Sequence, residues 1–146
     1  MSKVEDAAAC FEAGFSCSQA VLSAYAPQFG LDRESALKVS GAFGAGMGRM
    51  CETCGAVTGA FMVIGLKHGK TRAEDDEAKE RAYRLVQEFV DQFKARHGSI
   101  VCRELLGCDL SIPEQRVLAQ ERKLTATLCP GFVRDAAEIV EQILET

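Results

Sequence analysis

Apolar residues along this 146-residue chain recur at intervals of three and four, and no segment sustains the apolar and polar alternation of a half-buried strand. The pattern predicts an all-α protein. Its clearest helix follows Thr71, which has the spacing of a capping box with Glu74. Ala78, Ala82, Leu85, Val86, Phe89 and Phe93 then mark one apolar face, and Gly98 marks the end. The acidic run from Glu74 to Glu77 falls in the first turn, where it complements the helix dipole; that accounts for it better than a carboxylate metal site does.

Further helices are predicted over residues 4–13, over 17–29, and from residue 34 into the glycines that follow Ser40, with Gly14, Gly30 and Asp32 as punctuation. Beyond the glycine-rich passage 41–48, an apolar helix is expected over residues 54–66 with Thr53 as its cap. Gly55 and Gly59 are four apart within it, a spacing that lets another backbone approach closely despite the propensity cost of glycine. Ser99 can cap a short helix that stops at Gly107. Ser111, Pro113 and Glu114 form a start signal for a connecting helix that runs to about residue 123. The last helix is expected to open at Pro130, with Val133, Ala136, Ala137, Val140 and Leu144 as its core-facing stripe. The sum is a single bundle of about six to eight helices. A chain that is 47% hydrophobic can bury one core over residues 1–146.

Charge and composition narrow the function. With 17 basic and 21 acidic residues the net charge is -4, and no stretch concentrates Lys and Arg without intervening acids, so nucleic acid is not an expected partner. The most apolar run, residues 54–66, is short of the roughly 20 residues a membrane span needs. The opening Met-Ser-Lys-Val-Glu-Asp lacks the cationic start and apolar stretch of a signal peptide, so a cytoplasmic location is expected. Seven cysteines are many for a reducing compartment, and an odd number excludes complete internal pairing. Metal ligation or thiol chemistry explains them better than structural disulfides.

The cysteines sort by position. Cys17, Cys54, Cys102 and Cys129 all fall at or within the first turn of a predicted helix, where free N–H groups and the positive dipole end favour a thiolate. Cys10 lies among alanines in the first amphipathic helix and reads as a small core residue. Cys108 follows Gly107 at a helix end, where the dipole opposes a thiolate, and reads as structural. Cys51 forms Cys-Glu-Thr-Cys with Cys54, the spacing of thiol–disulfide centres and of half a zinc site. Four converging helix starts would present four thiolates to one centre, an arrangement that suits an iron–sulfur cluster. The spacing of these four does not match the clustered cysteines of ferredoxins or zinc ribbons.

At Cys17-Ser-Gln-Ala-Val-Leu22, Gly46-Met-Gly48, Cys54-Gly-Ala-Val-Thr-Gly59, Gly98-Ser-Ile-Val-Cys102-Arg-Glu-Leu-Leu-Gly107 and Cys129-Pro130, the chain resembles the C_GCAxxG_C_C family of redox-active proteins, over nearly its whole length. The resemblance implies that Cys17, Cys54, Cys102 and Cys129 are the characteristic cysteines of that family, in agreement with the group set apart by helix position. The family is similar to a domain of split-Soret cytochromes associated with a [2Fe–2S] cluster, which favours cluster binding. No Cys-x-x-Cys-His occurs here, so the haem-attaching part of those cytochromes has no counterpart. Family members more often have glycine where this chain has Cys51.

Rival motifs are weaker. Gly65 to Thr71 resembles a phosphate-binding loop, but only three residues separate its glycines and an apolar helix precedes it, so it reads as a helix end. Gly44, Gly46 and Gly48 miss the dinucleotide fingerprint and suit close packing, or a turn that carries backbone N–H groups past a sulfur centre. His68 and His97 each lie beside a helix C-terminus, and nothing in the sequence brings either to a cysteine as a nucleophilic pair.

The leading expectation is a redox protein, for electron transfer or redox sensing rather than substrate-specific catalysis, with a [2Fe–2S] cluster on Cys17, Cys54, Cys102 and Cys129. It would work with a redox partner protein. One alternative is structural Zn²⁺ on the same thiolates. Another is a metal-free thiol–disulfide oxidoreductase or sensor in which Cys54 or Cys17 attacks and Cys51 or another cysteine resolves. A third is a structural helical module, assembling as a homodimer through the apolar helix.

Overall fold

Four helices begin in this chain where short polar side chains accept the free N–H groups of a first turn. The computed structural model describes residues 2–145. Among them lie eight α-helices: α1 (Lys3–Glu12), α2 (Cys17–Tyr25), α3 (Arg33–Ser40), α4 (Gly55–His68), α5 (Asp76–His97), α6 (Cys102–Leu106), α7 (Pro113–Glu121) and α8 (Leu124–Leu144). Ser2 accepts from the Glu5 N–H at 3.1 Å, Asp32 from Ser35 at 3.0 Å and Asp75 from Ala78 at 3.0 Å. Ser16 closes a capping box: its Oγ accepts from the Gln19 N–H at 3.4 Å while the Gln19 side chain accepts from the Ser16 N–H at 3.0 Å. Extended pairing among the described residues is limited to an isolated antiparallel bridge between Thr53 and Val101. The expected all-α class is therefore observed.

Apolar α4 runs through the middle of the bundle, packed against α2, α5 and α8. Gly55 and Gly59 admit α2 as the spacing predicted. A Cβ on Gly59 would stand 2.9 Å from the Ser18 carbonyl oxygen, and one on Gly55 would stand 3.1 Å from the Ser18 nitrogen. The anticipated stripe of α8 is buried throughout, and Leu85, Phe89 and Phe93 anchor α5. Phe89 meets Phe61 edge-on, and Phe93 stacks on Phe89. Tyr25, 1% exposed, donates its hydroxyl to the Ala137 carbonyl at 3.1 Å and so ties α2 to α8. No described helix is long and apolar enough to cross a membrane.

Several boundaries differ from expectation, each for a local reason. α5 opens at Asp76 instead of after Thr71, because Arg72 takes the Glu74 carboxylate, with contacts of 2.8 and 2.9 Å, and Lys70 donates to the Ala73 carbonyl. α2 stops at Tyr25 and continues only as a 3₁₀ turn, Ala26–Phe29, because Pro27 has no N–H to extend the α-helix. Thr53 does not cap α4; it sits in the bridge to Val101, and Cys54 is itself the N-cap residue. Ser99 accepts from the Val101 N–H just ahead of α6, whose N-cap is Val101. The Ser111 hydroxyl is held by Asp109 at 2.5 Å, so Ile112 precedes Pro113 without a side-chain cap.

The largest shift is in α8, which begins at Leu124 and carries Pro130 inside it. Leu124 and Leu128 pack on the core about two turns and one turn before buried Phe132, which extends the apolar stripe toward the N-terminus. Proline at this point removes the N–H that would have bonded the Ala126 carbonyl and sets its ring against that carbonyl, and the buried stripe offsets the cost. Cys129 consequently lies within a helix and not at its start.

Candidate functional site: a cavity lined by four thiols

Three helix beginnings and one helix interior deliver the sulfur-bearing residues. Cys17 is the first residue of α2, directly behind the Ser16 capping box; Cys54 is the N-cap of α4; Cys102 is the first residue of α6; and Cys129 lies in the second turn of α8. All four line one cavity of about 420 Å³. Its remaining wall is largely apolar, with Phe11, Leu105, Leu106, Leu110 and Phe132, and Arg49 supplies the only charged side chain in the lining. The four cysteines are buried, at 9%, 4%, 7% and 8% exposure, so a thiolate formed there would have little water to stabilise it.

The glycine-rich passage forms the cavity floor by an unusual backbone path. Ala45, Gly46, Met47, Gly48 and Arg49 all have positive φ, between 57° and 69°, and form a short left-handed turn in which the Gly48 N–H donates to the Gly44 carbonyl at 2.8 Å. Left-handed backbone costs an L-residue about 1–2 kcal/mol, so Ala45, Met47 and Arg49 store strain that the surrounding packing must hold. Gly46 shows what the path achieves. A Cβ there would stand 2.7 Å from Cys102 Cβ, 2.7 Å from Cys51 Cα and 2.8 Å from the Glu52 nitrogen, so only glycine lets the turn sit against the sulfur-bearing segments. The expected close packing is present. The expected delivery of N–H groups is narrower, since those of Gly48 through Glu52 are used within the turn itself.

An antiparallel clasp holds Cys54 and Cys102 together from residues far apart in sequence. The Cys54 N–H donates to the Ile100 carbonyl at 2.8 Å, the Cys102 N–H to Glu52 at 2.5 Å, and the Arg103 N–H to Cys51 at 3.2 Å. Outside the clasp the Arg103 guanidinium donates to the Cys51 carbonyl at 3.2 Å and to the Glu52 carboxylate at 3.0 Å.

The proton affinities run against the expectation from helix position. The Ala56 and Val57 N–H groups at the start of α4 favour a Cys54 thiolate, yet burial outweighs them and pushes that thiol up to about 12. Cys17 is pushed up by the thiol proton it donates to Cys129, by burial and by the other three cysteines of the cavity. Cys102 is raised by burial first and then by Cys51. Cys129 alone of the four is lowered, and its cause is the Cys17 proton, not a helix dipole. Desolvation and the mutual repulsion of sulfurs in one cavity therefore outweigh the helix N-termini, and Cys17, Cys54 and Cys102 are thiols at neutral pH.

The remaining cysteines and both histidines lie outside this lining. Cys51 is fully buried but faces Cys102, not its sequence partner Cys54. Cys10 is buried near Ser23, and the Cys108 thiol donates to the Gln115 carbonyl at 3.1 Å. His97 is held 2.7 Å from Asp135 and packs on Phe93 and Phe132, while His68 borders a hollow with Arg81, Arg84 and Glu88. Neither histidine is hydrogen-bonded to a cysteine. Among the described residues no group of three or more His, Cys, Asp or Glu is disposed to hold a metal ion. Sequence reasoning missed Arg49 and the apolar wall, which carry no motif; the cap that sets Cys17 was legible as Ser16-x-x-Gln19.

No match was found to a curated protein, and none to a solved structure. The family model described as "Putative redox-active protein (C_GCAxxG_C_C)" matches residues 15–143, a span that contains all four cavity cysteines. With nearly its whole length matched, the chain belongs to the family described as "Putative redox-active protein (C_GCAxxG_C_C)".

Proposed function

We propose that Cys17, Cys54, Cys102 and Cys129 hold an iron–sulfur cluster of the [2Fe–2S] type and that the protein acts in electron transfer or redox sensing. The observation that carries this reading is the shared cavity: four thiols from four separate helices line one space. Among the described residues no three or more of these side chains are disposed around a single ion. Four-coordinate zinc would need all four sulfurs about 2.3 Å from one ion, whereas a two-iron core takes two thiolates on each iron. The surrounding phenylalanine and leucine side chains limit water around such a cluster. Arg49 supplies a positive charge beside a centre that four thiolates would leave negative. The resemblance to the cysteine domain of split-Soret cytochromes points the same way. When bound, the cluster would supply one-electron chemistry; the chain's part is to bind and bury it.

Anaerobic purification followed by iron and acid-labile sulfide analysis, absorption and EPR spectroscopy tests this reading. About two irons and two sulfides per chain are expected, lost on changing any of the four cysteines to serine and retained in Cys10→Ser. Colourless protein carrying stoichiometric zinc, or iron binding indifferent to Cys17→Ser and Cys129→Ser, overturns it.

A further inference from the structure

A fifth thiol stands directly behind the cavity. Cys51 is 0% exposed and is not part of the cavity lining, yet its Cα and the Cβ of Cys102 each lie 2.7 Å from a single point, the Cβ position of Gly46. The two atoms are therefore separated by at most twice that distance, which makes the two residues close neighbours from distant parts of the chain. The backbone fixes the approach from both sides, through the Cys102 N–H on Glu52 and the Arg103 N–H on Cys51. Cys51 also has positive φ, 57°, which turns it out of the path its sequence neighbours would otherwise follow.

The Cys51 sulfur is tied to the segment behind the cavity. It accepts the Leu110 N–H at 3.4 Å, and its own thiol proton points to the Cys108 carbonyl at 3.5 Å. Cys102, by contrast, faces the cavity and can meet a small reagent there.

We infer that Cys51 and Cys102 are a disulfide-forming pair, in which Cys102 reacts with a peroxide entering the cavity and Cys51 resolves the product. The thiolate fraction of Cys102 attacks one peroxide oxygen, the O–O bond breaks, and the departing hydroxide takes the proton that Cys102 released and leaves as water. Cys102 is then a sulfenic acid. The Cys51 sulfur attacks it, the S–O bond breaks, and the hydroxide takes the Cys51 proton as a second water. Two thiols have lost two electrons, and one hydrogen peroxide has become two waters. This pairing differs from the Cys51–Cys54 disulfide that the Cys-x-x-Cys spacing suggests. It stands on the position of Cys51 whether or not a cluster binds. Its consequence, removal of one of the four cavity thiols on oxidation, rests on the proposed centre.

The test uses the metal-free full chain, treated with hydrogen peroxide, alkylated, and cut with trypsin and a glutamate-specific protease. Cleavage after Glu52 separates Cys51 from Cys54, and Cys102 leaves in the peptide that ends at Arg103. The expected product is a Cys51–Cys102 cross-link, two hydrogens lighter than the parent peptides and restored to thiols by reductant. It should persist in Cys54→Ser. In Cys51→Ala, Cys102 should instead be trapped as the sulfenic acid by a dimedone reagent. Absence of the Cys51–Cys102 cross-link after peroxide, whatever other disulfides form, overturns the inference. Because the readout is made without metal, it is independent of the iron and sulfide analysis.

Discussion

Gly46 lies against Cys102 so closely that a single methyl group at Gly46 would stand 2.7 Å from the Cys102 Cβ. The same methyl would meet the Cys51 Cα and the Glu52 nitrogen, which are backbone atoms and cannot rotate away. Gly46→Ala therefore has to move the left-handed turn or the clasp, and it adds the cost of φ +69° for an L-residue. We expect it to lower stability by about 2–4 kcal/mol, within the range for overpacked or strained sites. Urea unfolding would measure the loss, and faster alkylation of Cys102 would show that the cavity floor has opened. Wild-type alkylation rates in a folded Gly46→Ala protein would refute this account of the turn.

Two glycines of α4 should respond in opposite directions. Gly59→Ala sets a Cβ 2.9 Å from the Ser18 carbonyl oxygen and should force α2 away, with a loss of about 1–3 kcal/mol. A Cβ on Gly65 meets nothing within 4 Å, and the position is exposed in the same helix. Gly65→Ala should raise stability by about 0.5–1 kcal/mol through helix propensity alone. Thermal melts of the two variants side by side provide the comparison.

Stability should fall in alkali because Cys54 holds its proton more tightly when folded. Its thiol rises from the ordinary 9.0 to about 12, so this contribution is complete below about pH 9 and is lost as pH rises through about 12. The full window is worth up to roughly 4 kcal/mol for one group. Raised Cys17 and Cys102 act with the same sign. In urea titrations between pH 8 and about pH 11, under reductant, Cys54→Ala should show a shallower alkaline decline than the parent. Parallel slopes would mean that Cys54 does not retain its proton.

His97 works as a brace between α5 and α8. It bonds Asp135 and packs on Phe93 and Phe132, while neighbouring Arg96 reaches Asp135 at 3.0 Å and Glu138 at 2.8 Å. His97→Ala should cost about 1–2 kcal/mol and leave the cysteine content of the cavity and its peroxide products unchanged. A specific loss of thiol reactivity without destabilisation would instead place His97 in the chemistry.

Much of this protein is legible in one dimension because its causes are local. The periodicity of residues 78–93 and 133–144 marks the faces that become buried, Gly98 and Gly107 end helices at positive φ, and the Gly55 and Gly59 pair marks where α2 presses on α4. Cys17, Cys54 and Cys102 could likewise be separated from Cys10 and Cys108 by their place at helix starts, whereas Cys129 stands apart by its motif alone, since its helix begins at Leu124. Competition between non-local groups was hidden. Arg72 took the carboxylate that a capping box at Thr71 needed, and the buried stripe through Leu124, Leu128 and Phe132 carried α8 past Pro130. Cys129 consequently owes its lowered proton affinity to Cys17, 112 residues away, and Cys51 faces Cys102 across the chain in place of Cys54 beside it. Residue type and spacing determined which helices form and set four cysteines apart by motif. Only the tertiary structure decided their protonation and their partners, because burial and sulfur–sulfur contact depend on what the rest of the chain brings to the same cavity.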